Sequence, residues 1–336
     1  MSISPASTSV VIPSHAEDRF DHLVDAIASV RGQSIAPAEI VVVVDHNPVL
    51  FYRARRDLSD VTVLENRFEP GVSGTRNTGA LHAVTPLVVF LDDDVTARPG
   101  WLPALVAPLA DPAVVGTGGA IVPRWETRQP AWFPDEFLWA VGGSYAGMPV
   151  ATAQVRNVWS GSMAVRREAF VAAGGFRTDF GKVGNRSRPE DTELCVRLGR
   201  KTGGHWVYVP DAVIAHRVPA QSATFGYFLT RCFNEGRGKV LMARLLSGAP
   251  SLDAERSYLL ATLPKAVLRG TSGPLRGRGL RPAVRSAAVL VGLAAAALGG
   301  LVELVRTARR PDPAGSTGSG EPAPETIGRA TWVGAA

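Results

Sequence analysis

Three consecutive carboxylates, Asp92, Asp93 and Asp94, directly follow the apolar run Leu87–Leu91. The run has the length of a buried strand, and because strand interiors exclude aspartate, the acidic cluster is expected where the strand leaves its sheet. In open α/β sheets, ligands bind at this edge, outside the carboxyl ends of the strands. Adjacent carboxylates repel one another unless they share a cation, and oxygen ligands suit Mg²⁺ or Mn²⁺. The sequence therefore predicts a divalent-metal site that carries a substrate phosphate, with a solvated acidic turn as the alternative.

Further polar residues are expected at the same edge. Pro13 and His15 end the first predicted strand, and Asp45 ends the second. Because parallel strands open on one side of a sheet, these residues and Asp92–Asp94 should lie close together. A nucleotide lying across the edge would place Asp45 near its base or ribose and the three consecutive aspartates near its phosphates.

A glycine-rich segment, Gly71–Gly79, lies between these strands and is predicted to open a helix with Ser73 as its N-cap. Free N–H groups at a helix start favour anions, and Arg76 and Asn77 would add side-chain donors to a pyrophosphate or ribose. The segment is not a P-loop, because it lacks the Gly-Lys-Ser/Thr ending.

Strand and helix patterns alternate through the first part of the chain. The predicted strands are apolar throughout rather than alternating, which is typical of a sheet buried on both faces. We therefore predict an α/β fold with a mostly parallel, Rossmann-like sheet and helices on both faces. The strands are predicted at Val10–Ile12, Glu39–Val44, Val61–Leu64 and Leu87–Leu91, then less regularly at Ala113–Val122, Trp159–Val165, Trp206–Val209 and Ala212–Ala215, with later helices at Arg166–Ala173, Glu190–Arg200 and Phe225–Leu246.

Composition and charge narrow the class of protein. The chain has 336 residues, 46% of them hydrophobic, which suits one large domain with an appendage or two domains. The net charge is +6, and many arginines lie beside apolar C-terminal segments, which favours an anionic membrane surface as a partner. No zinc-finger spacing or basic heptad region supports nucleic-acid binding, and two cysteines form no disulfide framework. No cleavable signal peptide is recognised, so the main domain is expected in the cytoplasm.

The character of the chain changes near residue 250. The uncharged stretch Ser286–Val302 has 17 residues, the lower limit for a membrane-spanning helix, and Gly292, Gly299 and Gly300 would suit close helix packing. A buried C-terminal helix is the alternative. We therefore predict an α/β catalytic domain over residues 1–248, amphipathic or transmembrane membrane-associated helices over 249–310, and a disordered tail over 311–336.

Taken together, these segments resemble the inverting family 2 glycosyltransferases of the GT-A fold over roughly residues 8–245. No single motif is specific, but several occur in the order found in that family. The motifs are Val10–Pro13, Ile40–Asp45, Gly74–Gly79, the Asp-x-Asp pattern of Asp92 and Asp94, Gly161–Glu168, Gly174–Phe176, Pro189–Leu194 and His216.

The resemblance implies a role for each of several residues. Asp92 would face the nucleotide with Asp93 beside it, and Asp94 would bind the Mn²⁺ or Mg²⁺ that bridges the diphosphate. Asp191 would be the catalytic base, and His216 an additional metal ligand. The chain would then move one sugar from a nucleotide diphosphate sugar to a hydroxyl acceptor.

The acceptor side is inferred from fewer residues. Trp159, beside Gly161, is the candidate for stacking on a sugar ring, and Glu190 lies next to the expected base. Arg231 is either part of a solvated helix face or a ligand for a lipid phosphate. These four residues are our acceptor and sugar candidates.

The chain also resembles the subgroup that builds on polyprenyl- or dolichyl-phosphate-linked sugars, including glucuronosyl transferases, at Val44–Asn47 and Arg231–Gly236. That likeness implies a UDP-linked donor, a lipid-linked sugar or cell-envelope glycan as acceptor, and a catalytic domain on the cytoplasmic face of the cell membrane. One departure is His46, which stands where many members carry a second acidic residue. The missing Gln-x-x-Arg-Trp signature favours addition of a single sugar over polymerisation.

The chemistry of glycosyl transfer fits these residue types. Negative charge grows on the leaving diphosphate, where a metal stabilises it, and the acceptor hydroxyl must lose a proton to a carboxylate. Asp191 is predicted in the first turn of a helix, where the dipole favours its ionised form. The alternative is that Glu190, Asp191 and Glu193 are ordinary first-turn helix acids.

Two other functions use the same sequence features. Asp92, Asp94 and Thr96 fit the Asp-x-Asp-x-Thr pattern of haloacid-dehalogenase-like phosphatases, in which Asp92 would be the nucleophile. That pattern normally follows the first strand, whereas here it follows the fourth. A non-catalytic, membrane-tethered glycan-binding scaffold is the other alternative. A dinucleotide-dependent dehydrogenase is disfavoured, because no Gly-x-Gly-x-x-Gly follows the first strand.

Overall fold

A computed structural model describes residues 4–183, 186–245, 258–272 and 281–308 of the protein. Its strands form a nine-stranded sheet and a separate antiparallel pair. The large sheet contains β1 (Thr8–Ser14), β2 (Glu39–Val44), β3 (Thr62–Glu65), β4 (Leu87–Leu91), β5 (Val95–Ala97), β6 (Val114–Trp125), β7 (Ala153–Val155), β8 (Ser162–Arg166) and β11 (His205–Val218), and the pair is β9 (Gly181–Val183) with β10 (Arg186–Arg188).

Helices connect these strands and follow them at the C-terminal end of the chain. A 3-10 helix, Asp135–Val141, lies between β6 and β7, and a π-helical segment, Tyr258–Thr262, precedes the last two helices. The α-helices are α1 (Phe20–Arg31), α2 (Pro48–Asp57), α3 (Val72–His82), α4 (Trp101–Val106), α5 (Arg167–Ala172), α6 (Glu190–Thr202), α7 (Phe225–Leu245), α8 (Leu263–Ser272) and α9 (Arg281–Ala308).

The strand order is β3-β2-β1-β4-β8-β6-β11-β5, with β7 paired to β11. The first four strands are parallel, as expected, and β6 and β11 are parallel to each other. The sheet is nevertheless mixed, because β8 is antiparallel to both β4 and β6. The short strands β5 and β7 are also antiparallel to β11.

The central strands are buried on both faces, which explains why they are apolar at every position. Val10 and Ile12 of β1 join a core cluster with α1, α2 and α4, whereas Val11 packs on the other side with α3, α5 and α6. Alternate side chains of a strand point to opposite faces, so each face needs its own apolar set. The predicted covering of the sheet by helices on both faces is confirmed.

Strand register brings the expected polar residues to one edge. Ser14 pairs with Val44 across β1 and β2, and Val11 pairs with Phe90 across β1 and β4. The carboxyl ends of these three strands therefore emerge side by side. Asp45 and Asp92 follow directly, as predicted.

The strand β11 carries a second polar group to this edge. Two short strands were predicted here, but β11 is one strand with a register irregularity between Val209 and Val213. Its later part pairs antiparallel with β5, with His216 opposite Val95. Because Val95 follows Asp94 directly, this pairing places His216 beside the acidic turn.

A third apolar cluster joins the C-terminal helices to the 3-10 helix. Phe137 and Val141 of the 3-10 helix pack with Phe228 of α7, Leu263 of α8 and Val289 of α9. Among the described residues, α9 is the one helix long and apolar enough to cross a membrane by length and composition, with a mean hydropathy of 2.2. The predicted tail, residues 311–336, lies outside the described part of the chain.

Candidate active site

The acidic turn after β4 divides its three carboxylates between different environments. Asp93 is buried, its Oδ2 accepts a hydrogen bond from Ser14 Oγ at 2.7 Å, and Arg19 Nη1 lies 3.1 Å from its Oδ1. Burial raises the pKa of Asp93 to about 7 although the charge of Arg19 opposes the change. The structure therefore turns Asp93 into the protein, and it does not line the cavity that Asp92 enters. In this structure Asp93 supports the turn, and its predicted contact with the nucleotide sugar stays a prediction.

Asp94 and His216 meet at this edge, as predicted. The Nε2 atom of His216 lies 3.6 Å from Oδ2 of Asp94. Burial alone would lower the pKa of His216, but the hydrogen bond and negative charge of Asp94 outweigh it and raise the pKa. Gly142, at φ +73°, makes room for the imidazole, because a Cβ there would lie 3.1 Å from His216 Cε1.

The donor set at this edge fits a divalent metal that is shared with a substrate. A carboxylate and an imidazole are ligands that Mn²⁺ accepts, and His216 Nδ1 is buried with no hydrogen-bond partner in the described structure. The described residues contain no group of three or more His, Cys, Asp or Glu that could cage an ion. Mg²⁺ and similar ions are commonly held by one or two protein groups plus phosphates and waters. The guanidinium of Arg19 also contacts Asp94, which adds positive charge.

A cavity of about 180 Å³ opens beside this pair. Polar groups from several elements converge on this cavity. Such convergence on one small ligand moiety is typical of a binding site. Seven of the predicted site residues lie in its wall. The cavity is lined by Arg76, Asp92, Val95, Ile121, Gly142, Trp159, Ser160, Gly161, Glu190, Asp191, Ile214 and His216.

The buried guanidinium of Arg76 connects two sides of the cavity. Its Nη2 donates to Asp92 Oδ1 at 2.7 Å, and its Nη1 donates to Glu190 Oε1 at 3.3 Å. The helix α3 can approach the sheet closely because Gly79 faces Val11. A Cβ at position 79 would lie 2.3 Å from Cγ1 of Val11. Arg76 was predicted to bind a pyrophosphate or ribose, and here it ties the acidic turn to the start of α6.

The start of α3 differs from the prediction. Gly71, at φ +145°, is the N-cap, and Ser73 lies inside the first turn with its hydroxyl donating to Phe180 O at 3.0 Å. A φ in this region is costly for residues with a Cβ, so glycine at position 71 suits the entry into the helix. The missed signal was the glycine, because serine is the commoner N-cap.

The helix α6 presents two neighbouring carboxyl groups to the cavity. Burial, together with the charge of Asp191, raises the pKa of Glu190 to about 7 although the charge of Arg76 opposes the change. Burial likewise raises the pKa of Asp191, although the charge of Arg76 opposes the change. The helix dipole was expected to favour the ionised form of Asp191, but the cost of desolvating the carboxylate is larger, so the net shift of its pKa is upward.

The carboxylate of Asp191 is held on one side and unpaired on the other. Ser160 hydrogen-bonds it through both its side chain and its backbone. Asp191 Oδ1 is buried and has no hydrogen-bond partner in the described part of the chain. An unpaired buried acceptor is costly, so it is expected to receive a hydrogen bond from a ligand in the cavity. Sequence reasoning missed Ser160, which is adjacent to Trp159 and Gly161 of the recognised motif.

Gly161 and Trp159 complete the wall on the sugar side. A Cβ on Gly161 would lie 2.8 Å from Asp92 Oδ2, so any residue larger than glycine would displace this carboxylate. The ring of Trp159 packs edge-on to Tyr145 at 6.2 Å between centroids, and Tyr145 packs in the same way on Tyr258 at 5.1 Å. These contacts fix Trp159 in the wall that we expect a sugar to face.

Comparisons with known proteins show which family the chain belongs to. The model described as Glycosyl transferase family 2 matches residues 9–172. A glucosyl-dolichyl phosphate glucuronosyltransferase of Haloferax volcanii is 32% identical over 259 residues, which cover 75% of this chain and 81% of the relative. The chain belongs to glycosyl transferase family 2. It is therefore a transferase, and the phosphatase and scaffold alternatives gain no support.

Two further proteins are similar to this glycosyltransferase. A pre-mycofactocin glycosyltransferase of Mycobacterium tuberculosis is 32% identical over 158 residues, covering 47% of this chain and 32% of the relative. The mannosyltransferase PcManGT from Pyrobaculum calidifontis, solved in complex with GDP-Man and Mn²⁺, superposes with a TM-score of 0.57 at 20% identity over 89% of both chains. The second likeness shows the fold alone. It confirms the predicted GT-A-like α/β architecture.

The predicted base-binding residues of the glycosyltransferase lie at the edge but outside the cavity wall. Asp45 follows β2, where its two oxygens accept from Asn66 Nδ2 at 2.7 Å and from the Gly71 backbone N–H at 2.8 Å. Pro13 is buried within β1, which continues to Ser14, and His15 is exposed just after it. Asp45 thus positions the start of α3, and its predicted contact with a base or ribose stays a prediction.

Two other predicted residues take up positions that sequence reasoning did not foresee. Asn77 is buried, donating to Phe176 O at 2.7 Å and accepting from Phe176 N–H at 2.8 Å. These bonds hold the loop at Gly175, and the predicted contact of Asn77 with the nucleotide sugar stays a prediction. Arg231 of α7 donates to Ala140 O at 3.2 Å and does not line the cavity. Its role in binding an acceptor stays a prediction.

Proposed function

We propose that this family 2 glycosyltransferase moves a sugar from a nucleotide diphosphate sugar to a hydroxyl acceptor with inversion and with a divalent metal. The observation that carries the proposal is the shared cavity. It joins a half-paired buried carboxylate, Asp191, to the wall containing Asp92 and His216. A carboxylate poised to accept a proton and a separate acidic edge for a leaving diphosphate are what such a transfer requires.

The donor would lie along the edge formed by the carboxyl ends of β1, β2 and β4. Asp92 would contact the nucleotide part, and Arg76 would keep that carboxylate in place from below. The solved mannosyltransferase holds GDP-Man and Mn²⁺, which supports a nucleotide sugar and a divalent metal in this fold. A UDP-linked donor rests on the subgroup likeness.

Asp94 and His216 would hold the metal, which supplies positive charge for the leaving diphosphate when it is bound. Mn²⁺ and Mg²⁺ both suit the carboxylate of Asp94, and the imidazole of His216 favours Mn²⁺. Arg19, which contacts Asp94 and Asp93, would add charge to the same edge.

Asp191 would accept the proton of the acceptor hydroxyl. Ser160 fixes one side of its carboxylate, so the unpaired Oδ1 is the atom that receives the proton. Burial raises the pKa of Asp191, which makes it a stronger base than a solvated aspartate while it is ionised. Glu190, beside it and bonded to Arg76, would orient the acceptor or the sugar.

The acceptor would be a lipid-linked sugar or a cell-envelope glycan, at the cytoplasmic face of the cell membrane. The Haloferax relative is named for glucosyl-dolichyl phosphate, which supports a lipid-linked acceptor. The apolar helix α9 supports membrane association. Trp159 and Gly161 would form the sugar-facing wall.

Titration calorimetry with UDP, in the presence and absence of Mn²⁺, tests the nucleotide part of the proposal. We expect binding that depends on the metal and is lost in Asp94→Asn, a variant of nearly the same shape. GDP serves as the comparison nucleotide, and a screen of nucleotide sugars for metal-dependent hydrolysis would identify the donor. If no nucleoside diphosphate binds with Mn²⁺ or Mg²⁺ present, the proposal fails.

A further inference from the structure

The long apolar helix α9 has one face that is packed against the rest of the protein. Val289 is buried in the third apolar cluster, and Gly292 lies against Phe228 of α7, where a Cβ would come within 2.8 Å. Further along, a Cβ on Gly299 would lie 1.9 Å from the backbone oxygen of Phe233, so the two helices touch backbone to backbone. Contact therefore extends along much of α9.

The opposite face of α9 is apolar and exposed. At about 3.6 residues per turn, its large side chains fall on one half of the circumference and the packed residues fall on the other. The four charged residues of the helix, Arg281, Arg285, Glu303 and Arg306, lie on the packed half or at its border. The exposed apolar side chains, each 36–57% exposed, are Val284, Leu290, Val291, Leu298, Leu301, Val302, Leu304 and Val305.

The helix α7 runs beside α9 in the same direction. Phe228 meets Gly292 near one end, and Arg237 bonds Glu303 at 2.8 Å near the other. A span by α9 would therefore draw α7 into the hydrocarbon layer. That helix carries Arg231 between the contacts Phe228–Gly292 and Phe233–Gly299, level with the middle of α9. A charged side chain at the centre of a bilayer costs about 3 kcal/mol or more, so the packing opposes a span.

We propose that α9 lies in the plane of an anionic membrane surface, with its exposed apolar face in the boundary between headgroups and acyl chains. The packed face holds the catalytic domain at that surface through α7. This inference refines the membrane association in the proposed function and rests on that part of it. A helix that lies in the membrane plane needs one face that is entirely apolar, with polar or cationic groups at the border of that face. The helix α9 has both features.

Charge complementarity identifies the occupant of the exposed face as lipid. Arg281 and Arg306 are exposed near the two ends of α9, at the border of the apolar face. Cationic side chains at the edge of an apolar stripe pair with anionic headgroups while the stripe enters the acyl boundary. The net charge of the chain, +6, acts in the same direction.

Vesicle flotation of the full-length chain tests whether lipid covers this face. We compare phosphatidylcholine vesicles with vesicles that also contain phosphatidylglycerol. We expect binding that rises with the anionic lipid and falls at least about tenfold in the triple variant Leu290→Glu, Leu298→Glu, Leu301→Glu. Val84→Glu, which alters an exposed apolar side chain of the catalytic domain, is the matched control and should float as the unchanged chain does.

The orientation of the helix is tested by tags at both termini of the full-length chain on the same vesicles. An in-plane helix leaves the two tags on one side, so external protease removes both. Protection of the C-terminal tag in molecules whose N-terminal tag is cleaved would show a span and overturn the proposal. The proposal is also overturned if the full-length chain does not float with the vesicles. It is overturned as well if the chain forms a dimer in solution and the triple variant is a monomer. Metal-dependent UDP binding is measured in parallel, since it reports on the donor site independently of the membrane.

Discussion

Replacing Glu190 by glutamine should change how the stability of the protein depends on pH. The side chain is 16% exposed and lies between the guanidinium of Arg76 and the carboxylate of Asp191. Burial raises its pKa from 4.5 to about 7. Between these two values the folded state binds more protons at this position than the unfolded state does. The free energy of unfolding must therefore fall as pH rises through this window.

The magnitude follows from the two pKa values. Their difference corresponds to about 3 kcal/mol, present in full below pH 4.5 and lost once pH exceeds about 7. Contact of the side chain with solvent and a change in the ionisation of Asp191 reduce this contribution to the free energy of unfolding. We therefore expect it to be about 2 kcal/mol. In a chain of 336 residues that is roughly 3 °C in melting temperature. Glutamine cannot ionise, and its Oε1 can still accept from Arg76.

The assay is thermal unfolding of the unchanged chain and Glu190→Gln at pH 5 and pH 8, in the same mild detergent. The difference between the proteins at one pH includes any change in packing, whereas the change of that difference with pH isolates ionisation. We expect Glu190→Gln to gain roughly 3 °C relative to the unchanged chain on going from pH 5 to pH 8. Parallel pH profiles of the two proteins would refute the reasoning.

Two substitutions probe the chemistry of the cavity directly. Asp191→Asn should lower transfer by about 100-fold or more while UDP still binds with Mn²⁺, because the amide keeps the shape but cannot take a proton. Initial rates and calorimetry would measure this. Gly161→Ala should lower transfer by about tenfold, because a Cβ would lie 2.8 Å from Asp92 Oδ2 and displace that carboxylate. Rates with a fixed donor, together with nucleotide affinity, would measure it.

Each of these variants has a matched control in the chain. Glu168→Gln changes a first-turn acid of α5, which does not line the cavity, and should leave transfer unaltered. Gly226→Ala adds a Cβ in α7 where no atom lies within 4 Å, and it should also leave transfer unaltered. Normal turnover by Asp191→Asn would remove that residue from the role of base. Normal turnover by Gly161→Ala would show that Asp92 tolerates displacement.

The sequence predicted the edge of the sheet better than the orientation of the side chains there. Asp92 and Asp94 were expected at this edge because they follow a strand, and the family resemblance placed His216 with them. The register of β11 against β5 brings the histidine within reach. Strand ends are readable from apolar runs. Which of three adjacent carboxylates turns inward depends on Ser14 and Arg19, whose contacts with the turn are tertiary.

What the sequence could not show about these side chains has a common physical origin. Asn77 stands in a motif beside Arg76, and its amide bonds the backbone of Phe176, 99 residues away in the chain. The helix position of Asp191 favours its ionised form, but burial in the folded protein raises its pKa. Local sequence gives the dipole and the residue types, but desolvation is set by what packs around a group.

The structure also links the C-terminal helices to the cavity of the candidate active site. Phe137 of the 3-10 helix packs on Phe228 of α7, and both rings face Gly292 of α9. The same 3-10 helix ends at Val141, and the next residue, Gly142, lies against the imidazole of His216. Because packed clusters transmit displacement, a shift of α9 would move the backbone that bounds the proposed metal ligand. The helix α9 therefore contributes to the shape of the site, in addition to its proposed role at the membrane.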